Sequence, residues 1–191
     1  MIYTIPYTVD ITYKDENDEE QYIKIRNNGD FRVVLDVIEA LNDNELTEEE
    51  RIRCALFIFY GEELKKITDY ERAVKLMLEF INCGEEDAEE SNKPVLMNWK
   101  HDFAYIVPPI SRTIGYDVRL PDKFTHWWSF LGAYMEIGEC TFSNIVSIRN
   151  KKAKGKKLEK WESEFYQENR KMIDLPYNLT PEDEEFLNFD V

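Results

Sequence analysis

A chain of 191 residues is long enough to bury a core, and length alone favours one domain. With 43% hydrophobic residues, among them 11 Tyr, 11 Phe and 4 Trp, there is apolar area enough to offset the entropy of ordering the chain, which excludes a disordered polymer. Lys and Arg number 24 against 39 Asp and Glu, a net charge of −15, which argues against general attraction to nucleic acid or to an anionic membrane.

The alternating runs YTVDITY and QYIKIR flank the polar KDENDEE, so a β-hairpin with strands over residues 6–13 and 20–26 opens the chain. Asn28, Gly29 and Asp30 punctuate it before FRVVLDVIEAL, where Phe31, Val34, Leu35, Ile38 and Leu41 recur at helical spacing. Thr47 with Glu50 and Thr68 with Glu71 form Thr-x-x-Glu capping patterns, which predict helices over 48–60 and 69–82. The acidic GEEDAEESNKP, residues 84–94, reads as a loop between an N-terminal and a C-terminal half.

WKHDFAYIVPPISRTIGYDVRLP carries a helical pattern that Pro108 and Pro109 should break or kink, with Gly115, Tyr116 and Asp117 closing the element. KFTHWWSFLGAYMEIGE then places Trp127, Phe130, Leu131, Tyr134 and Ile137 on one helical face, with Gly132 leaving room for a close neighbour. This is the helix predicted to be most buried. TFSNIVSIR leads into RNKKAKGKK and LEKWESEFYQENRKMI, whose Leu158, Trp161, Phe165 and Met172 form a narrow apolar seam that calls for a partner helix. A short terminal helix capped by Thr180 with Pro181 at its first position is expected at the end. The architecture predicted is mainly α, a helical bundle with a small N-terminal β-hairpin. It forms a single domain over 1–191, with a hairpin-plus-helix half to residue 90, a helical half over 91–175 and a tail over 176–191.

Candidates for chemistry are sparse. His101 and His126 stand in different segments without HExxH or Cys/His spacing, and Cys54, Cys83 and Cys140 offer neither a disulfide framework nor a metal knuckle, so no metal, cofactor or catalytic set is expected. His126 with Cys140 as a thiolate pair is outweighed by the commoner fate of a free cysteine, a buried structural thiol. Pairs such as Asp102 with Asp117 can be drawn at will among so many acids, and solvated surface is the better reading. AKGKK lacks the rest of GxxxxGK[ST] and is not a nucleotide site. The opening MIYTIPYTVD has no basic region followed by an apolar core, and no stretch approaches about 18 consecutive apolar residues, so neither secretion nor membrane insertion is expected and a reducing cytoplasm fits best.

Charge is unevenly placed. Residues 149–171 hold nine Lys or Arg against four Glu, a local +5 in a chain whose remainder carries −20. Arg149, Lys151, Lys152, Lys154, Lys156 and Lys157 are the cations of RNKKAKGKK, with three readings: a solvated helix connection, a phosphate contact, or a patch for an acidic protein surface such as a second copy of the chain. The last is preferred. Trp127 lies on the apolar stripe of its helix, whereas Trp128 is turned about 100° away and needs a second packing surface or a partner.

The stretch HWWSFLGAYMEIGECTFSNIVSIRNKKAKGKKLEKWESEFYQENRKMIDL, together with NGDFRVVLDVIEAL, TEEERIRCALFIFY, WKHDFAYI and GYDVR, resembles the phage "gene product fifteen" family of tail-region proteins from phages and prophages of Gram-positive bacteria. The resemblance covers most of the chain and brings no catalytic residues. It implies a non-enzymatic tail assembly chaperone of the bacterial host cytoplasm, whose partners are the phage tape-measure protein and the tail-tube protein. Trp127, Trp128, Leu158, Trp161 and Phe165 are then candidate contacts for the tape measure or a sister subunit, and the basic stretch a docking patch. The alternative is a nucleic-acid-associated phage accessory protein that uses the basic segment 149–160 on backbone phosphates.

Overall fold

A computed structural model describes residues 4–84 and 94–176. The loop expected over 84–94, beyond its two ends, and the terminal helix expected after Thr180 lie outside the described residues. The described residues are mainly helical, with eight α-helices and one two-stranded antiparallel sheet at the N-terminus. They divide between two compact units, one made of Met1–Ser91 with Val118–Ala133 and the other of Asn92–Asp117 with Tyr134–Val191.

The first unit opens with the predicted hairpin, β1 (Thr8–Lys14) against β2 (Glu20–Lys24), with Lys14 opposite Glu20 and an irregularity between Thr8 and Thr12. Val9 and Ile23 are buried, as strand alternation requires. Asn27 and Asn28 take left-handed backbone and Gly29 follows at φ +73, after which the Asp30 carboxylate accepts from the Arg32 amide and caps α1 (Phe31–Leu41). The stripe of α1 runs through Phe31, Val33, Val34 and Val37, with Leu35, Ile38 and Leu41 at its margin. It packs on α2 (Glu48–Tyr60), whose Thr47–Glu50 capping box forms as the motif requires. For α3 (Tyr70–Ile81) the cap shifts by one residue: the Asp69 carboxylate, not Thr68, accepts from the Arg72 amide, because an ionised acceptor also meets the positive end of the helix dipole. Phe31 stacks on Phe130 at 4.3 Å between ring centroids, and Phe59 meets Phe80 edge-on.

In the second unit, α4 (Trp99–Ile114) contradicts the expected break: it runs through Pro108 and Pro109 without interruption. Pro108 is exposed, as is Ala104, whose carbonyl loses its amide partner to that proline and can bond water instead. Ile106, Val107 and Ile110 are buried around the pair, so packing outweighs the lost backbone bonds. Gly115 closes α4 in left-handed geometry and donates its N–H to the Ser111 carbonyl. The helix α6 (Thr141–Ala153) also lies in this unit, whereas α5 (Trp127–Met135) belongs to the first unit as far as Ala133. Gly132 does not do what its size suggested: it is exposed, and a Cβ there would meet nothing within 4 Å.

The last apolar run splits at Asn169 into α7 (Lys160–Glu168) and α8 (Arg170–Ile173). The split brings Ile173 against Ile145 and Ile148 of α6, with Tyr105, Leu158, Phe165, Tyr166 and Met172 packed around them. Most of the seam that called for a partner helix finds it within the chain. No helix among the described residues is long and apolar enough to cross a membrane.

Candidate partner-binding site

Trp127 and Trp128 serve the interior of the first unit. The helix α3 ends with Cys83 in left-handed backbone, the Cys83 amide on the Phe80 carbonyl and the Gly84 amide on the Glu79 carbonyl, the double bond of a Schellman stop. Two indoles reinforce that end: Trp127 Nε1 donates to the Ile81 carbonyl and Trp128 Nε1 to the Phe80 carbonyl, both at 2.9 Å. Trp127 is 2% exposed and Trp128 half-buried, so the second packing surface that Trp128 needed is the end of α3. Beside them His126 is buried, with Nδ1 accepting from the Trp128 amide at 3.1 Å and Nε2 held 3.0 Å from the Pro6 carbonyl. That pairing fixes the neutral tautomer with hydrogen on Nε2. Burial pushes the His126 imidazole below its ordinary value, against the opposing pull of the Pro6 carbonyl and Asp30.

Of the six cations in RNKKAKGKK, three belong to the internal structure of the second unit. Arg149 departs furthest from a surface role. Its side chain is 6% exposed and all five of its N–H donors are engaged: Nε with the Ile173 carbonyl at 2.5 Å, Nη1 with Leu96 O and Asp102 Oδ2, and Nη2 with Asp102 Oδ1 and Met172 O. Asp102 is fully buried, which corrects its reading as solvated surface, and it also accepts from the Asn98 amide at 3.0 Å. A lone charge in either place would be costly, and the fork-on-fork geometry answers it.

Lys151 donates to both oxygens of the buried Glu162 at 2.7 and 2.8 Å. That ammonium, with help from the Glu159 amide, holds the Glu162 carboxyl below the usual carboxylate range. Lys152 bonds Asp174 at 2.6 Å and lies 3.6 Å from the centre of the Tyr166 ring. Lys154, Lys156 and Lys157 are exposed and make no ion pair among the described residues.

Their backbone explains the Gly-Lys of AKGKK. Gly155 stands at φ +62, its amide on the Lys152 carbonyl at 3.0 Å, and the Lys156 amide returns to the Lys151 carbonyl at 2.8 Å. This is the Schellman stop of α6, and the cations around it also suit the negative end of that helix.

Of the seam, Leu158 and Phe165 are half-buried against Ile145, Ile148 and Ile173, while Trp161 remains 48% exposed with its Nε1 on Glu159 Oε2 at 3.2 Å. Trp161 and the three lysines before it are therefore the predicted site residues that the structure leaves at the surface, with Trp127, Trp128, Arg149, Lys151 and Lys152 held by internal bonds. Sequence reasoning missed the Asp102–Arg149 pair, 47 residues apart. A signal was present, because Asp102 shares the i, i+4 row of Ile106 and Ile110 and Arg149 follows the buried Ile145 and Ile148, each a charge on an apolar stripe. Among the described residues no group of three or more His, Cys, Asp or Glu is arranged to hold a metal ion.

No curated protein and no solved structure matches the chain. The family described as "Bacteriophage Gp15 protein" matches residues 12–175, a span running from the hairpin to the end of the described C-terminal helices. The chain belongs to that phage protein family.

Proposed function

We propose that this phage protein works by binding rather than by catalysis, as a tail assembly chaperone that covers the tape-measure protein and helps tail-tube assembly in the host cytoplasm. The observation that supports a binding role is the exposed Trp161 at the edge of an otherwise covered seam, close in sequence to three lysines that make no ion pair among the described residues. An indole held half in water, with a charged border, is the composition of a binding hot spot. The groups that invited a catalytic reading point the same way: His126 and Asp102 are both engaged in bonds that hold the fold. The tail role itself comes from the resemblance to tail-region proteins. A long helical tape measure with apolar faces would aggregate alone, and packing those faces against an acidic partner suppresses that.

The test is light scattering of the tape-measure protein of the same phage, diluted from denaturant with and without this chain. Stoichiometric suppression of scattering, weakened in Trp161→Ala while that variant keeps the wild-type thermal midpoint, is the expected result. Unchanged scattering in the presence of the folded wild-type chain would overturn the reading.

A further inference from the structure

Opposite charges sit on two preformed turns of this molecule. At the end of α6 the Schellman geometry fixes the backbone that carries Lys154, Lys156 and Lys157. Their ammonium groups are exposed and unpaired among the described residues, unlike those of Lys151 and Lys152. In the hairpin, Asp15 builds the turn by accepting from the Asn17 and Glu19 amides at 2.9 and 3.0 Å. Asp18 is paired with Lys14, and Glu20 accepts from the Thr12 hydroxyl. Glu16 and Glu19 are exposed and bond no side chain among the described residues.

We infer that the basic turn at 154–157 docks on the acidic hairpin turn at 15–20 of a second copy of this chain. Charge selects the occupant: residues 149–171 carry +5 and the remainder −20, so the basic stretch is attracted to the rest of another copy, while most of the surface is repelled by it. Among the described acidic runs the hairpin is the better match. At the start of α2, Glu49 is paired with Arg53 and Glu50 is held by the capping box, whereas the hairpin presents two unpaired carboxylates from a turn already ordered. Two ordered turns lose little freedom on meeting, which favours a weak but specific contact. Nucleic acid is the poorer occupant: three lysines neutralise only about three phosphates, which gives weak binding without a preferred site.

The experiment is sedimentation equilibrium of the full chain at low and at high salt, with K154E/K156E/K157E, E16K/E19K and an equimolar mixture of the two. These positions avoid Lys151, Lys152 and Asp15, which hold the fold. Expected are self-association of the wild type that weakens with salt, at least about tenfold weaker association in each reversed variant alone, and recovery in the mixture. Should the lysine reversal fail to fold, the neutral set K154Q/K156Q/K157Q weakens association in the same direction. A wild type that stays monomeric at low salt, association indifferent to both reversals, or a mixture that fails to associate overturns the inference. So does lysine-dependent, nuclease-sensitive nucleic acid in place of self-association.

Discussion

Arg149 and Asp102 show how much depends on single side chains. The guanidinium ties α4 and α6 to the carbonyls of Leu96, Met172 and Ile173, so removing Arg149 breaks five bonds, removing the Asp102 carboxylate breaks two to Arg149 and one from the Asn98 amide, and either change leaves an uncompensated buried charge. Asp102→Asn is expected to cost about 3–5 kcal/mol of unfolding free energy, measured by denaturant titration. Replacing both residues with apolar ones of similar volume costs much less than the single change. Gly29 is a second sensitive point: at φ +73, a Cβ there would lie 2.7 Å from Phe80 Cζ and 3.0 Å from His126 Nε2. Gly29→Ala should cost about 2 kcal/mol or more, from left-handed strain together with the forced shift of two rings. His126 gives the fold an acid sensitivity. Its folded value lies below the ordinary 6.5, so the unfolded chain binds the proton more readily. The stability it supplies is complete above that pH and is lost as pH falls below it toward the folded value. Thermal midpoints should fall on acidification through this range, and fall less in His126→Asn.

At the scale of elements, helix caps and hydrophobic period were readable, and tertiary packing decided the rest. Glu48–Tyr60 and Phe31–Leu41 form where Thr47, Glu50 and the apolar spacing place them. Three features depended on partners far away in sequence. Pro108 and Pro109 lie inside an unbroken α4 because buried Ile106, Val107 and Ile110 hold that helix against the loss of two amides. Since Pro108 is exposed, Pro108→Ala restores an amide donor without disturbing packing, and chemical denaturation should show a gain of about 1 kcal/mol. The pair of tryptophans completes the end of α3, a contact spanning 46 to 48 residues that no local pattern reveals. Trp128→Phe should lose about 1 kcal/mol with the indole bond, and Trp128→Ala about 3 kcal/mol with the packing as well. The basic run, uniform in sequence, divides into Arg149, Lys151 and Lys152 inside the second unit and Lys154, Lys156 and Lys157 outside, because helical rotation and the Gly155 stop turn successive residues to different surroundings.

For the whole molecule, class and family were legible, while the placement of the candidate site residues was legible only in part. A mainly α chain with an N-terminal hairpin follows from periodicity, and the phage family follows from the resemblance along most of the chain. Residues chosen for a surface role by aromatic or cationic character alone divided between interior and surface, since character does not record which neighbours arrive from elsewhere in the chain. What remains exposed of them, Trp161 and the lysines that precede it, forms the proposed binding face on a chain of net charge −15. The most direct test of the binding role is co-expression with the tape-measure protein of the same phage, followed by affinity purification through this chain under nuclease. The tape measure is expected to turn soluble and to co-purify at stable stoichiometry; a tape measure that stays insoluble beside abundant folded chain would overturn the binding role.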